Sequence, residues 1–361
     1  MVAPTRAMVS PIPWLKNSMI GARMASKFMG KTIVHERGKK SPLPIRDGLN
    51  PSRARLPDDA DPTPAWDFLT GLITTQRHRH PADDATALQA RFDAEEVVLR
   101  SGQPLAPDSL LLPGRDVYFY RIPAPEPPVP HEIGIIHHDD DLLVVDKPPF
   151  LATMPRGRHI TETVTVRLRR ATGIQELSPA HRLDRLTSGV LIFTTRPEVR
   201  GAYQTLFARR ETTKIYEAVA DFNPALMPTA DPTLWESRME KTPGEIQGVI
   251  VDGEPNARTW VTSVTPLDDA EQAAVETRHG PRPRQARYVL QPETGKTHQL
   301  RLHMWAAGVP ILGDPVYPRI HREDEEDMQV PMHLVARELS FTDPLTGRAR
   351  MFTTQRDWVR G

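Results

Sequence analysis

Two short runs, LLVV at 142–145 and GVLIFTT at 189–195, are mostly apolar and read as buried strands. KIYEAVA at 214–220 alternates in the manner of a strand, and ARYVLQ at 286–291 reads as another. Between them, Val199, Ala202, Tyr203, Leu206 and Phe207 recur at helical spacing. Pro197 and Glu198 suit the first turn of that helix. Glu293-Thr294-Gly295 turns the last strand into a second helix, predicted over 297–307, capped by Thr297 and ended by Gly308. These elements do not form a regular βαβα series. The expected class is therefore α+β with a mixed or antiparallel sheet.

Before residue 131 the pattern changes. Residues 61–122 predict a small module. Trp66, Phe68, Leu69 and Leu72 share a helix face, and EEVVLRSGQPL and GRDVYFYRI follow as strands punctuated by Gly102 and Gly114. That order resembles the alpha-L RNA-binding module named after a small-subunit ribosomal protein. It departs from it where TTQRHRH runs into Asp83 and Asp84, since that module carries a basic helix there. A plain packing domain fits the same pattern. PAPEPPVP at 123–130 reads as a stiff, extended linker. Residues 1–60 read as an arm. Its first forty residues contain one acid, Glu36, among many bases, as a transit peptide or a flexible leader would.

Composition narrows the chemistry. The 361 residues are 39% hydrophobic, enough for a sizeable core, and carry no formal net charge. A nucleic-acid partner would have to be held by a local patch. Cysteine is absent, which removes disulfides, thiolate metal sites and a cysteine nucleophile together. No apolar run approaches the length of a membrane span, and a cytoplasmic protein is expected.

The chemistry concentrates in three segments. SPAHRLDRLTSG contains His181, Arg182, Asp184 and Arg185; TTKIYEAV contains Lys214 and Tyr216; ETGKTHQLRLH contains Lys296, His298 and Arg301. Arg182 and Arg185 flank Asp184 and favour its carboxylate form. Read alone, Asp184 is either an anion poised to attack or a structural residue bonding turn amides. Arg301 is either aimed at a neighbouring loop or an exposed helix arginine. GKT is not a phosphate-binding loop, because Leu290 stands where its first glycine belongs. His298 and His303 are five residues apart and do not share a helix face, so they do not form a metal pair. Ser188 has no nucleophile elbow around it.

HRLDRLTSG, KIYEAV and GKTHQLRLH…GVPILGD, in this order, resemble the hallmark blocks of the RluA-type RNA pseudouridine synthases. LLVVDKPPFLATMP and MHLVARELSFTDPLTG resemble the opening and closing strands of that catalytic domain, which would occupy 131–361. The resemblance implies an isomerase that flips a uridine from structured ribosomal or transfer RNA and converts it to pseudouridine. Asp184 would attack the nucleotide, Tyr216 would stack on the base and assist removal of its proton, and Arg301 would pair with the nucleophile. Arg182 would fill the gap left by the flipped base. Lys296 replaces the family's usual arginine, and FLATMP replaces a more usual glycine-containing His-Pro turn. The reaction involves no net hydrolysis or redox change, so no metal or cofactor is expected.

Between Pro155 and Lys214 there are twelve Lys or Arg and five Asp or Glu, a local charge of plus seven. Arg156, Arg158, Arg169 and Arg170, with Arg182, Arg185, Lys214, Lys296 and His298, are the expected RNA contacts; Arg167, Arg209 and Arg210 lie in the same basic segment. The acidic run Glu323–Asp327 reads as a solvated loop. A catalytically silent RNA-binding or ribosome-assembly factor with the same fold is the alternative, and intact Asp184, Tyr216 and Arg301 argue against it. A glycoside hydrolase would want a second carboxylate, and none is marked near the motif.

Overall fold

The computed structural model describes residues 41–322 and 326–357. The first forty residues of the predicted arm, and Glu323 to Glu325 of the acidic run, lie outside the described residues. The described residues up to Pro125 form one compact unit and those from Glu126 a second.

In the first unit, β1 (Ser52–Arg55) and β2 (Thr63–Pro64) lead into helices α1 (Ala65–Thr74) and α2 (Ala85–Asp93). Strands β3 (Val98–Leu99), β4 (Leu110–Leu111) and β5 (Asp116–Phe119) follow. β1, β5 and β3 make an antiparallel sheet in that order. Phe68, Leu69 and Ile73 of α1 pack with Leu88, Phe92, Val117 and Phe119. The sequence reading ends the arm at residue 60, but Ala54 and Leu56 are buried in this core. The arginines that alternate with them in SRARL mask the strand. Asp83 and Asp84, which break the resemblance to a basic helix, serve folding here. Asp84 caps α2 by accepting from the Ala87 amide at 3.0 Å, and Asp83 forms a buried ion pair with Arg91.

The second unit contains β6 (Gly134–His138), β7 (Leu142–Lys147), α3 (Val164–Thr172), β8 (Ser178–Pro179), β9 (Ser188–Thr194) and α4 (Pro197–Ala208). It continues through β10 (Thr212–Asp221), β11 (Thr233–Glu240), β12 (Val249–Val251), β13 (Ala257–Pro266) and α5 (Asp269–His279). β14 (Gln285–Pro292), α6 (Gln299–Ala306), β15 (Leu334–Thr342) and β16 (Ala349–Thr353) complete it. The strands form one eleven-stranded sheet of order β12-β11-β13-β14-β10-β15-β9-β7-β6, with β16 on β15 and β8 on β9. Every pairing is antiparallel except β9 with β15. The sheet is thus mixed and the class α+β.

The apolar runs in β7 and β9 follow from burial on both faces. Leu143, Val145, Leu191 and Phe193 join a core that includes Val164 and Leu168 of α3 and Leu300 and Met304 of α6. Leu142, Val144, Val190 and Ile192 face Val199, Tyr203 and Leu206 of α4. The segment read as a stiff, extended linker is bound at its C-terminal half. The Glu126 carboxylate accepts from the amides of Ile160 and Thr161 at 2.8 and 2.7 Å, and Val129 is buried, with its amide on Glu162 at 2.8 Å. Among the described residues, no helix is long and apolar enough to cross a membrane.

Gly189 sits where β9 meets β15. Its φ of 106° and its approach to Ala336 leave no room for a side chain, because a Cβ would stand 2.3 Å from the Ala336 carbonyl oxygen. Gly189→Ala is therefore expected to cost about 1–3 kcal/mol in overpacking, with a similar amount in backbone strain. The denaturation midpoint reads this directly, and an unchanged midpoint would contradict the close approach.

Candidate active site

Asp184 lies in the loop between β8 and β9, and its neighbours on both sides are fastened to the fold. Thr153 Oγ1 donates to the Leu183 carbonyl at 2.8 Å and accepts from the Leu183 amide at 3.2 Å. Lys147, fully buried at the end of β7, donates Nζ to the carbonyls of Pro148, Leu151 and Arg185 at 2.9, 2.7 and 2.9 Å. Burial, then Arg185, push the Lys147 pKa down, while Asp184 pulls it up. Three carbonyl dipoles satisfy all three ammonium donors. The Thr187 amide closes the turn on the Asp184 carbonyl at 3.1 Å. The Asp184 side chain is half-buried and, among the described residues, has no hydrogen-bond or ion-pair partner. It bonds no turn amide, so the structural alternative loses its basis.

Three sequence-predicted groups, Tyr216, His298 and Arg301, converge electrostatically on this carboxylate, and Lys147 and Tyr317 join them. The Asp184 charge acts on Lys147, Tyr216, His298, Arg301 and Tyr317, and in each it favours the protonated form. Tyr216 is on β10, where it pairs with Ala336 of β15. Ala336 in turn pairs with Gly189 of β9, so a single strand, β15, separates the tyrosine strand from the strand that follows the Asp184 loop. Burial first, then Asp184, raise the Tyr216 phenol well above its ordinary pKa.

Arg301 is buried on α6 and is not an exposed helix arginine. Its hydrogen-bond partner, however, is not Asp184. Nε and Nη2 donate to the two carboxylate oxygens of Asp314 at 2.7 and 2.6 Å, and the guanidinium lies 5.3 Å from the Tyr317 ring centre. Asp314 also accepts from the amides of Val316 and Tyr317 at 2.8 and 3.1 Å. Burial opposes the Arg301 charge, but the Asp314 hydrogen bonds and charge, with Asp184 beyond, hold its pKa above the usual value. Arg301 therefore presents its charge to Asp184 through space while its fork is occupied. Helix α6 also starts later than expected. Its cap position is His298, at φ 59°, without a side-chain cap, and Thr297 caps nothing. His303 is a buried structural residue between Thr259 and Ser237.

The expected RNA contacts divide. Arg156, Arg158, Arg170, Arg182 and Lys296 are exposed, as are Arg209 and Arg210. Lys214 is half-buried, and burial followed by Arg210 lowers its pKa. Arg169 is buried and donates from Nε and Nη2 to the Leu177 carbonyl at 3.3 and 2.9 Å. It ties α3 to the segment before β8 and is not a surface phosphate contact. Arg167 donates to the Val129 carbonyl at 3.2 Å. Arg185 makes a two-pronged ion pair with Glu326, one bond at 2.9 Å, so that acid of the supposed solvated run is engaged. His181 accepts from the Ile192 amide at 3.2 Å and stacks on Phe207; burial, then Lys214, lower its pKa to about 3. Sequence reasoning gave no role to Lys147, Thr153, Asp314 or Tyr317. The signal for the first was a lysine ending an apolar run, and for Asp314 its place in the GVPILGD block.

A family model described as RNA pseudouridylate synthase matches residues 141–306. Over 234 residues the chain is 31% identical to the dual-specificity RNA pseudouridine synthase RluA of Haemophilus influenzae, covering 64% of this chain and 97% of that one. It is 30% identical over 221 residues to tRNA pseudouridine synthase C of Vibrio cholerae, 59% of this chain and 87% of the other. It is 28% identical over 250 residues to ribosomal large subunit pseudouridine synthase D of Zymomonas mobilis, with 64% and 73% covered.

Proposed function

Since the chain belongs to the RluA-type family of RNA pseudouridine synthases, we propose that Asp184 is the nucleophile with which it isomerises uridine in RNA. The observation that carries this is the convergence of Lys147, Tyr216, His298 and Arg301 on one carboxylate whose loop is pinned from both sides. The reaction breaks the bond between N1 of uracil and the sugar C1′, turns the ring, and joins C5 to C1′. Asp184 would either attack C1′ or assist elimination to a glycal.

A stacked uridine must first leave the helix, at a cost of a few kcal/mol. Arg182, exposed two residues before Asp184, is suited to fill the gap by stacking. Tyr216 would hold the flipped base. Its phenol is kept protonated partly by the Asp184 charge. Joining C5 to C1′ releases Asp184 again as a carboxylate, and Tyr216 would assist the loss of the C5 proton that follows.

The substrate we infer is a structured ribosomal or transfer RNA, read in the cytoplasm. The named activities of the relatives span both kinds. Mapping pseudouridines in RNA from cells with and without the gene, and with the gene restored as Asp184→Asn, tests the reading. A site lost on deletion and returned only by the wild type supports it; restoration by both overturns the role of Asp184.

Exposed arginines around the site would hold phosphates. Binding is then expected to weaken steeply with salt, by about 0.7–0.9 in log affinity per log salt for each contact. Arg156→Ala combined with Arg170→Ala should flatten that slope by roughly 1–2 and weaken many RNAs alike. Arg169→Ala should lower the melting temperature and leave the slope alone. Affinity independent of salt in the wild type would refute the patch.

A further inference from the structure

His298 stands at the cap of α6 with φ 59°, a left-handed conformation that few non-glycine residues adopt. Its Nδ1 lies 3.0 Å from the Tyr317 hydroxyl, and the two rings meet edge to face at 5.7 Å. That hydroxyl accepts from the Gly248 amide at 2.8 Å. Its single proton has two acceptors in reach, His298 Nδ1 at 3.0 Å and the Gly248 carbonyl at 3.5 Å. The shorter contact assigns the proton to the Tyr317–His298 bond. Nδ1 is then the acceptor, and a neutral imidazole carries its own proton on Nε2. The ring is neutral: burial first, then the Arg301 charge, lower its pKa to about 4 against the pull of Asp184. Among the described residues, Nε2 has no protein partner, and it is not a sealed, unsatisfied atom.

We propose that His298 is a catalytic hydrogen-bond donor whose Nε2–H meets a carbonyl oxygen of the flipped uracil, with Tyr317 the positioning residue that fixes its tautomer. The inference rests on the reading of Asp184 as nucleophile. When the glycosidic bond breaks, its electron pair passes to the uracil and spreads over N1, O2 and O4. A fixed donor at such an oxygen strengthens as that charge develops, with no proton transferred. A neutral donor suits this place, since a second cation beside Arg301 would pair with Asp184 and quench it.

Single-turnover tritium release from RNA labelled at C5 of the target uridine, at saturating enzyme, is the test. His298→Ala should lower the rate by roughly 10²-fold with RNA affinity within about two-fold of wild type. His298→Gln should recover about ten-fold more activity than His298→Asn, because the glutamine amide reaches the place of Nε2 and the asparagine amide that of Nδ1. Tyr317→Phe should slow turnover several-fold, and that effect should vanish in the His298→Ala background. Target RNAs carrying 2-thiouridine or 4-thiouridine distinguish the two oxygens. Sulfur at the bonded position should slow the wild type and leave His298→Ala unchanged. The proposal is overturned if His298→Ala turns over normally while Asp184→Asn is dead, if asparagine rescues as well as glutamine, or if the Tyr317 and His298 effects multiply. Normal turnover by Asp184→Asn would instead bring down the nucleophile reading beneath it.

Discussion

Asp184→Asn is expected to yield a folded protein that binds RNA and forms no detectable pseudouridine. The loss should reach about 10⁴-fold or more, the scale seen when a nucleophile is removed. An amide keeps the shape of the side chain but offers no anion to the sugar. The loop should stay in place, because it is held through the backbone of Leu183 and Arg185 and not through Asp184 itself. The melting temperature should move little. Residual turnover near that of the wild type in a tritium-release assay would end the assignment.

Arg301→Met should damage stability and activity together. The pair with Asp314 is almost fully shielded, with side-chain exposures of 3% and 0%. Removing the guanidinium leaves a buried carboxylate supported, among the described residues, by the amides of Val316 and Tyr317 alone. Breaking such a pair from one side costs about 3–5 kcal/mol. Arg301→Lys should fall between, since it keeps the charge but loses the planar fork that spans both Asp314 oxygens. Denaturant titration and turnover, measured where each variant is folded, separate the two losses. If stability falls while the folded fraction turns over normally, Arg301 is a structural residue and its charge contributes nothing at Asp184.

Strands β7 and β9 were legible because burial on two faces leaves an unbroken apolar run, as in 142–145 and 190–193. Helix α4 was legible from its spacing and from Pro197 in its first turn. Asp184, Tyr216 and Arg301 emerged from ordered blocks, and no periodicity would have singled them out. What escaped were side-chain destinations. Arg169 lies one turn beyond the buried Thr165 on α3 and so shares its inner face, whereas Arg170 points outward. A count of charges along the chain does not see that difference. Arg185 and Glu326 are 141 residues apart, and only the fold brings them together. Arg301 was expected to hold the nucleophile directly, but an acid thirteen residues on takes its fork. Lys147 looked like the end of a strand, and its donation to three carbonyls depends on a turn that the sequence does not spell out.

Gly189 pairs with Lys147 on one side and with Ala336 on the other, and Ala336 pairs with Tyr216. The ammonium that braces the Asp184 loop, the strand that leaves it and the strand bearing Tyr216 therefore meet across one short row of the sheet. Nearly two hundred residues of sequence separate Lys147 from Ala336. During synthesis the chain runs from its N-terminus, so the exposed arginines near Asp184 emerge well before β15 closes that row. A ribosome-bound chain stopped short of Leu334 lacks the strand that lies between Gly189 and Tyr216. The row thus stays open until β15 has been made, and strand order alone sets when the loop of Asp184 and the strand of Tyr216 come together.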